Sequence, residues 1–172
     1  MGAGKSRIGR ELSSRIGWPF YDSDKWIEER EGRSVKEIFD ELGELYFRQK
    51  EKEAIRQLAD IETPAIIALG GGVILDEENR TLLNKSGRII YIRSSPEAIF
   101  ERVCHSNKRP LLTVEDNNNF DQVLLERIRQ LMGEREALYR QADIIIDRDI
   151  LTLPEIVEAI IRLACSFAQS KE

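Results

Sequence analysis

The chain of 172 residues predicts an α/β fold in three layers, a parallel sheet covered by helices on both faces. Three observations carry that prediction. Short β-branched runs at 65–69, 88–92 and 143–146 alternate with longer segments of helical period. These runs are continuously apolar rather than alternating, as burial on both faces of a sheet requires. No repeat, low-complexity block or Pro/Gly/Ser-rich linker divides the sequence, so residues 1–172 are expected to form one domain.

The elements follow in order. A glycine-rich start leads into a helix over about 5–16, and a weaker apolar run at 19–21 ends in Asp22 as a strand. Helices are predicted over about 24–30, 35–42 and 44–60, the last two separated by Gly43. Ser34 and Glu37 form a capping box, in which each satisfies a backbone N–H of the other. Strand 65–69 runs into Gly70-Gly71-Gly72 and a helix over about 77–83. After strand 88–92, Ser95 and Pro96 supply an N-cap oxygen and a fixed φ for a helix over about 96–104. Residues 105–119 are polar and aperiodic. They form either an ordinary surface loop or, at that length, a functional lid. Helix 120–141, strand 143–146 and helix 153–167 complete the chain, the last opened by a second capping box, Thr152 with Glu155.

Composition narrows the function. The chain is 41% hydrophobic, enough to fill a core, and its net charge of −5 gives no reason to expect nucleic-acid binding. No apolar run approaches the ~20 residues that span a bilayer, and no signal segment is expected. Cys104 and Cys165 have no paired spacing, so reduced thiols in a cytoplasmic protein are expected; a monomer is a separate expectation that no residue pattern here carries. The single His105 cannot nucleate a His/Cys metal cluster.

Gly2-Ala3-Gly4-Lys5-Ser6 at the head of a helix is the closing half of a phosphate-binding loop. Backbone N–H groups and a helix N-terminus face phosphate there, the lysine adds a point charge, and the serine hydroxyl can ligate Mg²⁺. The full pattern places one more glycine and a central strand before Met1. Without that strand, polar groups on two neighbouring strands are left unpaired at roughly 1–3 kcal/mol each. The natural chain is therefore expected to start upstream, by about one strand and the first turn of the loop.

A substrate side is also legible. Asp22 and Asp24 at a strand end either face two ligands, a metal's water shell and a hydroxyl, or serve as turn and cap residues. Arg48 and Glu51 share a helix face with Ile55 and Leu58, which predicts a partly buried ion pair; a solvated Arg48–Glu44 pair is the alternative. Arg135 takes a core slot in the stripe Leu124, Ile128, Leu131, Arg135, Leu138, unless it snorkels to solvent. Two arginines on apolar faces point to capture of an anion, with a carboxylate favoured by the bidentate fork. The triple glycine leaves a surface free of side chains, with free N–H donors, against which a small ring can press. Lys108-Arg109-Pro110 in the polar loop suits a lid that closes on phosphate, or else is a solvated basic pair.

Together, Gly2–Ser6, Asp22-x-Asp24, Phe47-Arg48 with Glu51, Gly70–Gly72, Arg109-Pro110-Leu111-Leu112 and Arg135-x-x-Leu138-Tyr139 resemble the shikimate kinases in order and spacing. The resemblance runs from Gly2 to about Asp147. It implies a P-loop kinase fold of parallel strand order 2-3-1-4-5, here without its first strand, and MgATP-dependent phosphorylation of the shikimate 3-hydroxyl. It further implies a substrate-binding region over about 23–60 and a lid over about 105–119.

By the same resemblance, Gly2, Ala3, Gly4, Lys5 and Ser6 bind ATP, Lys5 contacts its β/γ-phosphates, Ser6 ligates Mg²⁺ and Asp22 holds the metal's waters. Asp24 binds the substrate hydroxyls and orients or deprotonates the nucleophile. Arg48 and Arg135 clamp the carboxylate, Gly70, Gly71 and Gly72 support the ring, Arg109 closes on the phosphates and Arg102 lies against adenine. Two further departures stand beside the short phosphate loop: Ala137 where the family usually has proline, and Arg148 where a threonine often follows the aspartate. A kinase of another hydroxy acid such as gluconate, and a non-catalytic nucleotide-binding relative, are the rival readings.

Overall fold

The computed structural model describes residues 2–104, 112 and 119–169, with backbone alone from 164 onward. Its strands are β1 (Phe20–Asp22), β2 (Ile66–Ala68), β3 (Ile90–Arg93) and β4 (Ile144–Asp147). They pair in parallel as β1–β2 and β3–β4, with Tyr21 opposite Ile67 and Tyr91 opposite Ile145. Among the described residues β2 and β3 share no ladder. Two separate pairs are what the order 2-3-1-4-5 leaves without its first member: second beside third, fourth beside fifth.

The helices are α1 (Lys5–Ile16), α2 (Ser23–Glu31), α3 (Val35–Ala59), α4 (Glu77–Ser86), α5 (Pro96–Val103), α6 (Phe120–Tyr139) and α7 (Leu153–Gln169). Their starts follow the capping chemistry. Ser34 Oγ accepts from Glu37 N–H at 3.2 Å while Ser34 N–H donates to Glu37 Oε2 at 2.7 Å. Thr152 N–H donates to Glu155 Oε2 at 2.8 Å, and Ser95 Oγ accepts from Ala98 N–H at 3.2 Å. The two helices expected at 35–42 and 44–60 are both present within α3, separated by a non-helical kink at Gly43. Gly43, at φ 82° and ψ 168°, turns the chain in a conformation that residues with a Cβ rarely adopt. A 3₁₀ turn at Val73–Leu75 was not expected; it follows the triple glycine and delivers Asp76 as the N-cap of α4.

Helix α1 ties the two strand pairs together. Its Ile8 and Leu12 are buried with Ile92 of β3, Ile146 of β4 and Ile156, Val157 and Ile160 of α7, and Ile66 of β2 packs on the same cluster. Each such isoleucine contributes about 1.5–3 kcal/mol on burial, so this apolar seam fixes where the N-terminus of α1 points. A Cβ at Gly9 would collide with the Phe20 ring, which sets how closely α1 approaches β1. A second cluster joins α5 to α6 through Ile99, Val103, Leu124, Ile128 and Leu131. A third, with Ile27, Ile38, Phe47 and Ala54, fastens α2 to α3. No helix among the described residues is long and apolar enough to cross a membrane.

Candidate active site

The triple glycine is where the substrate-side residues meet. Gly70 N–H donates to Ser23 Oγ at 2.8 Å, joining the end of β2 to the end of β1. A Cβ at Gly70 would stand 2.6 Å from Asp24 Oδ1 and 3.0 Å from Glu51 Oε1, so two carboxylates border this glycine. Gly71 C=O accepts from Arg135 Nη1 at 3.3 Å and from the Tyr139 hydroxyl at 2.7 Å. The Arg48 guanidinium lies against Gly72, in space that any side chain there would fill. The expectation of free N–H donors is thus corrected at Gly70, whose donor is taken by the fully buried Ser23. Glycine is required here chiefly because charged side chains crowd the backbone.

Both pairings considered for Arg48 are made. Nη1 donates to Glu51 Oε2 at 2.8 Å, and Nε and Nη2 donate to Glu44 Oε1 at 3.2 and 2.9 Å. Glu51 is 2% exposed and the Arg48 side chain 23%, so this is the partly buried pair expected on that helix face. Burial pushes the Glu51 carboxyl up, and Arg48 pulls against it. Burial also opposes the Arg48 charge, but Glu51 and Glu44 outweigh it, so the guanidinium stays firmly cationic. Arg135 is 5% exposed and does not snorkel; its Nε is buried with no hydrogen-bond partner among the described residues. Rigid, desolvated guanidinium groups of this kind suit bidentate capture of a carboxylate.

On the phosphate side, Gly4 caps α1 at φ 81° and Lys5 opens the helix. Lys5 lines one cavity with Gly70, Gly71, Arg135 and Tyr139, a largely apolar slot that also runs along residues 89–92 between the two strand pairs and that Asp24 and Arg48 do not line. Lys5 and Arg135 therefore border a shared space. Ser6 Oγ donates to Asp22 Oδ2 at 2.5 Å, while Asp22 Oδ1 accepts from Asp24 N–H at 3.1 Å. Asp22 is thus both helix cap and partner of the loop serine. Gly2 packs against Ile99 and Val103, and Ala3 is buried, which anchors the loop to α5 and the core. Arg102 donates to Ser94 Oγ at 2.9 Å and pairs with Asp149 at 3.4 Å. Arg109 lies outside the described residues.

Residues that sequence reasoning left out of the site are Ser23, Tyr139 and Tyr91. Tyr139 stands one turn after Arg135 on α6, so helical spacing alone could have placed it on the same face. Its ring stacks on Tyr91 at 4.9 Å, and the Tyr91 hydroxyl donates to Glu136 at 2.9 Å, which steadies this end of α6.

The family model described as shikimate kinase matches residues 1–164. A shikimate kinase of Deinococcus radiodurans is 44% identical over 94% of this chain and 78% of its own length. One of Caldanaerobacter subterraneus is 40% identical over 94% of this chain and 90% of its own. Among solved structures, a shikimate kinase from Acinetobacter baumannii in complex with shikimate superposes at TM-score 0.86 and 32% identity, covering 96% of this chain and 89% of that one.

Proposed function

The chain belongs to the shikimate kinase family, and on that premise we propose that ATP phosphorylates the 3-hydroxyl of shikimate between the phosphate loop and the triple glycine, giving shikimate 3-phosphate and ADP. The observation that carries this reading is the convergence of Arg48 and Arg135, from two different helices, on the backbone of Gly71 and Gly72, with Asp24 at Gly70. Two guanidinium groups take the carboxylate of a small ring lying on the glycines, and Asp24 takes its hydroxyls. The protein acts in the cytoplasm as a monomer in a step of aromatic amino-acid biosynthesis.

Phosphoryl transfer asks the protein mainly for positioning and charge neutralisation. Gly2, Ala3, Gly4 and Ser6 present the N-terminus of α1 to the polyphosphate, and Lys5 neutralises its β- and γ-phosphates. Asp24 accepts the hydroxyl proton as the substrate oxygen attacks the γ-phosphorus. The bond from that phosphorus to the β–γ bridging oxygen breaks, and ADP leaves with the electron pair. General-base help of this kind supplies ~10²–10⁴-fold. Arg109 closes on the phosphates, and Arg102 holds the adenine side.

Ser6 and Asp22 fit Mg²⁺. They offer a hydroxyl and a carboxylate oxygen 2.5 Å apart, and this ion takes one or two protein oxygens besides phosphate and water. Bound there, Mg²⁺ supplies positive charge to the phosphates. ADP release measured with shikimate and with gluconate tests the whole reading. Turnover with shikimate and none with gluconate is expected. Turnover with gluconate alone would point to a kinase of another hydroxy acid, and turnover with neither to a non-catalytic binding protein.

A further inference from the structure

Arg148 lies in the turn after β4 and takes no part in the mechanism above. Its Nε, Cζ and Nη2 stand 3.5, 3.7 and 3.7 Å from where a Cβ on Gly4 would be, so the guanidinium rests on the last glycine before Lys5. The turn that carries it is fixed on both flanks. Arg148 N–H donates to Arg93 C=O at 2.9 Å, extending the β3–β4 ladder by one residue. Asp147 pairs with Arg93 at 2.6 Å and accepts from Asp149 N–H at 3.0 Å. Asp149 accepts from Ser95 N–H at 2.6 Å and pairs with Arg102 at 3.4 Å.

Both neighbouring carboxylates are thereby committed elsewhere. Arg148 Nε is buried with no hydrogen-bond partner among the described residues. Burial, and then the like charges of Arg102 and Arg7, hold the Arg148 pKa below its ordinary value, with Asp149 pulling only weakly the other way. A partly buried guanidinium beside other cations is less favourable until an anion arrives, and a ligand that brings one binds more tightly for it. The neighbouring backbone is the loop already read as a phosphate cradle.

We propose that Arg148 is a further nucleotide-binding residue, donating to the phosphate oxygens of ATP and ADP from beside Gly4. The proposal rests on the reading of Gly2–Ser6 as that cradle. The recognised chemistry is the polyphosphate rather than the base, since the guanidinium lies on the glycine that adjoins Lys5.

Calorimetric titration of the full chain with ADP, inorganic pyrophosphate and adenosine tests it. Arg148→Met is expected to weaken ADP and pyrophosphate by about tenfold each, as loss of a charge-assisted hydrogen bond does, and to leave adenosine unchanged. Arg148→Lys should recover most of that loss. Arg148→Gln, which keeps length and polarity, should repeat it, and melting temperatures confirm that each variant is folded. Unchanged ADP and pyrophosphate affinities in both neutral variants overturn the proposal. So does a loss confined to ADP and adenosine, which would put the side chain on the base. Lys5→Ala with full pyrophosphate affinity would overturn the phosphate cradle itself, so the two readings fail separately.

Discussion

The guanidinium of Arg48 fills the space that a side chain at Gly72 would need. The two residues lie on different elements, and each restricts the other: Gly72 must lack a Cβ for Arg48 to lie flat against the backbone, and Arg48 is held there by Glu51 and Glu44. Gly72→Ala therefore displaces the arginine instead of merely crowding it. The KM for shikimate is expected to rise at least tenfold, with the KM for ATP within about twofold, because loss of one charge-assisted hydrogen bond already costs ~1.5–3 kcal/mol. Equal changes in both constants would remove Arg48 from the carboxylate clamp.

Arg135→Ala tests the other half of the clamp. Arg135 is buried, its Nη1 donates to Gly71 C=O, and its Nε has no partner among the described residues. The variant is expected to raise the KM for shikimate by ~10²-fold and to leave that for ATP nearly unchanged. Tyr139 keeps its own bond to Gly71 C=O, so the turn retains one tie to α6. Equal effects on both substrates in steady-state kinetics would take Arg135 out of the site.

How far the sequence reveals this site depends on whether the signal is local. Arg135 stands out because Leu124, Ile128 and Leu131, its partners in helical spacing, are all buried, so an arginine in that series had to be buried too or break the pattern. The Arg48–Glu51 pair is legible for the same reason. Ser23 is not, since its bond to Gly70 joins two strand ends 47 residues apart and depends on the β1–β2 register. Arg148 is hidden by its neighbours: a cation between two aspartates reads as a local ion pair, whereas the turn sends those carboxylates to Arg93, Ser95 and Arg102. The kink at Gly43 is legible as well, because the helical period stops at that glycine and resumes directly after it, as the backbone does.

Lys5→Ala is expected to lower kcat by at least about 10³-fold, since the ammonium neutralises charge that grows toward the transition state. Lys5 opens α1 and borders the cavity instead of joining the Ile8–Leu12 seam, so the melting temperature should change by no more than about 2 °C. Activity close to that of the parent chain would reject the phosphate-loop assignment.

Asp143 gives a test by pH. Its carboxylate accepts from Ile89 N–H at 2.8 Å and from Arg88 at 2.7 Å, clamping the entry to the β3–β4 pair. The backbone donor first, and the Arg88 partner with it, hold the folded-state pKa below the ordinary aspartate value. Above the unfolded pKa of about 3.9 both states are ionised and the clamp stabilises the fold in full. As pH falls through the lowered folded value, the folded carboxylate is protonated and the contribution is lost. Asp143→Asn is thus expected to melt about 2–4 °C below the parent at pH 7, as loss of ~1 kcal/mol would do at this chain length. The gap should narrow steadily from pH 5 to pH 3, and raised salt should shrink the part owed to the exposed Arg88. A gap that stays constant across that range would show that the carboxylate's charge does not fasten these strands.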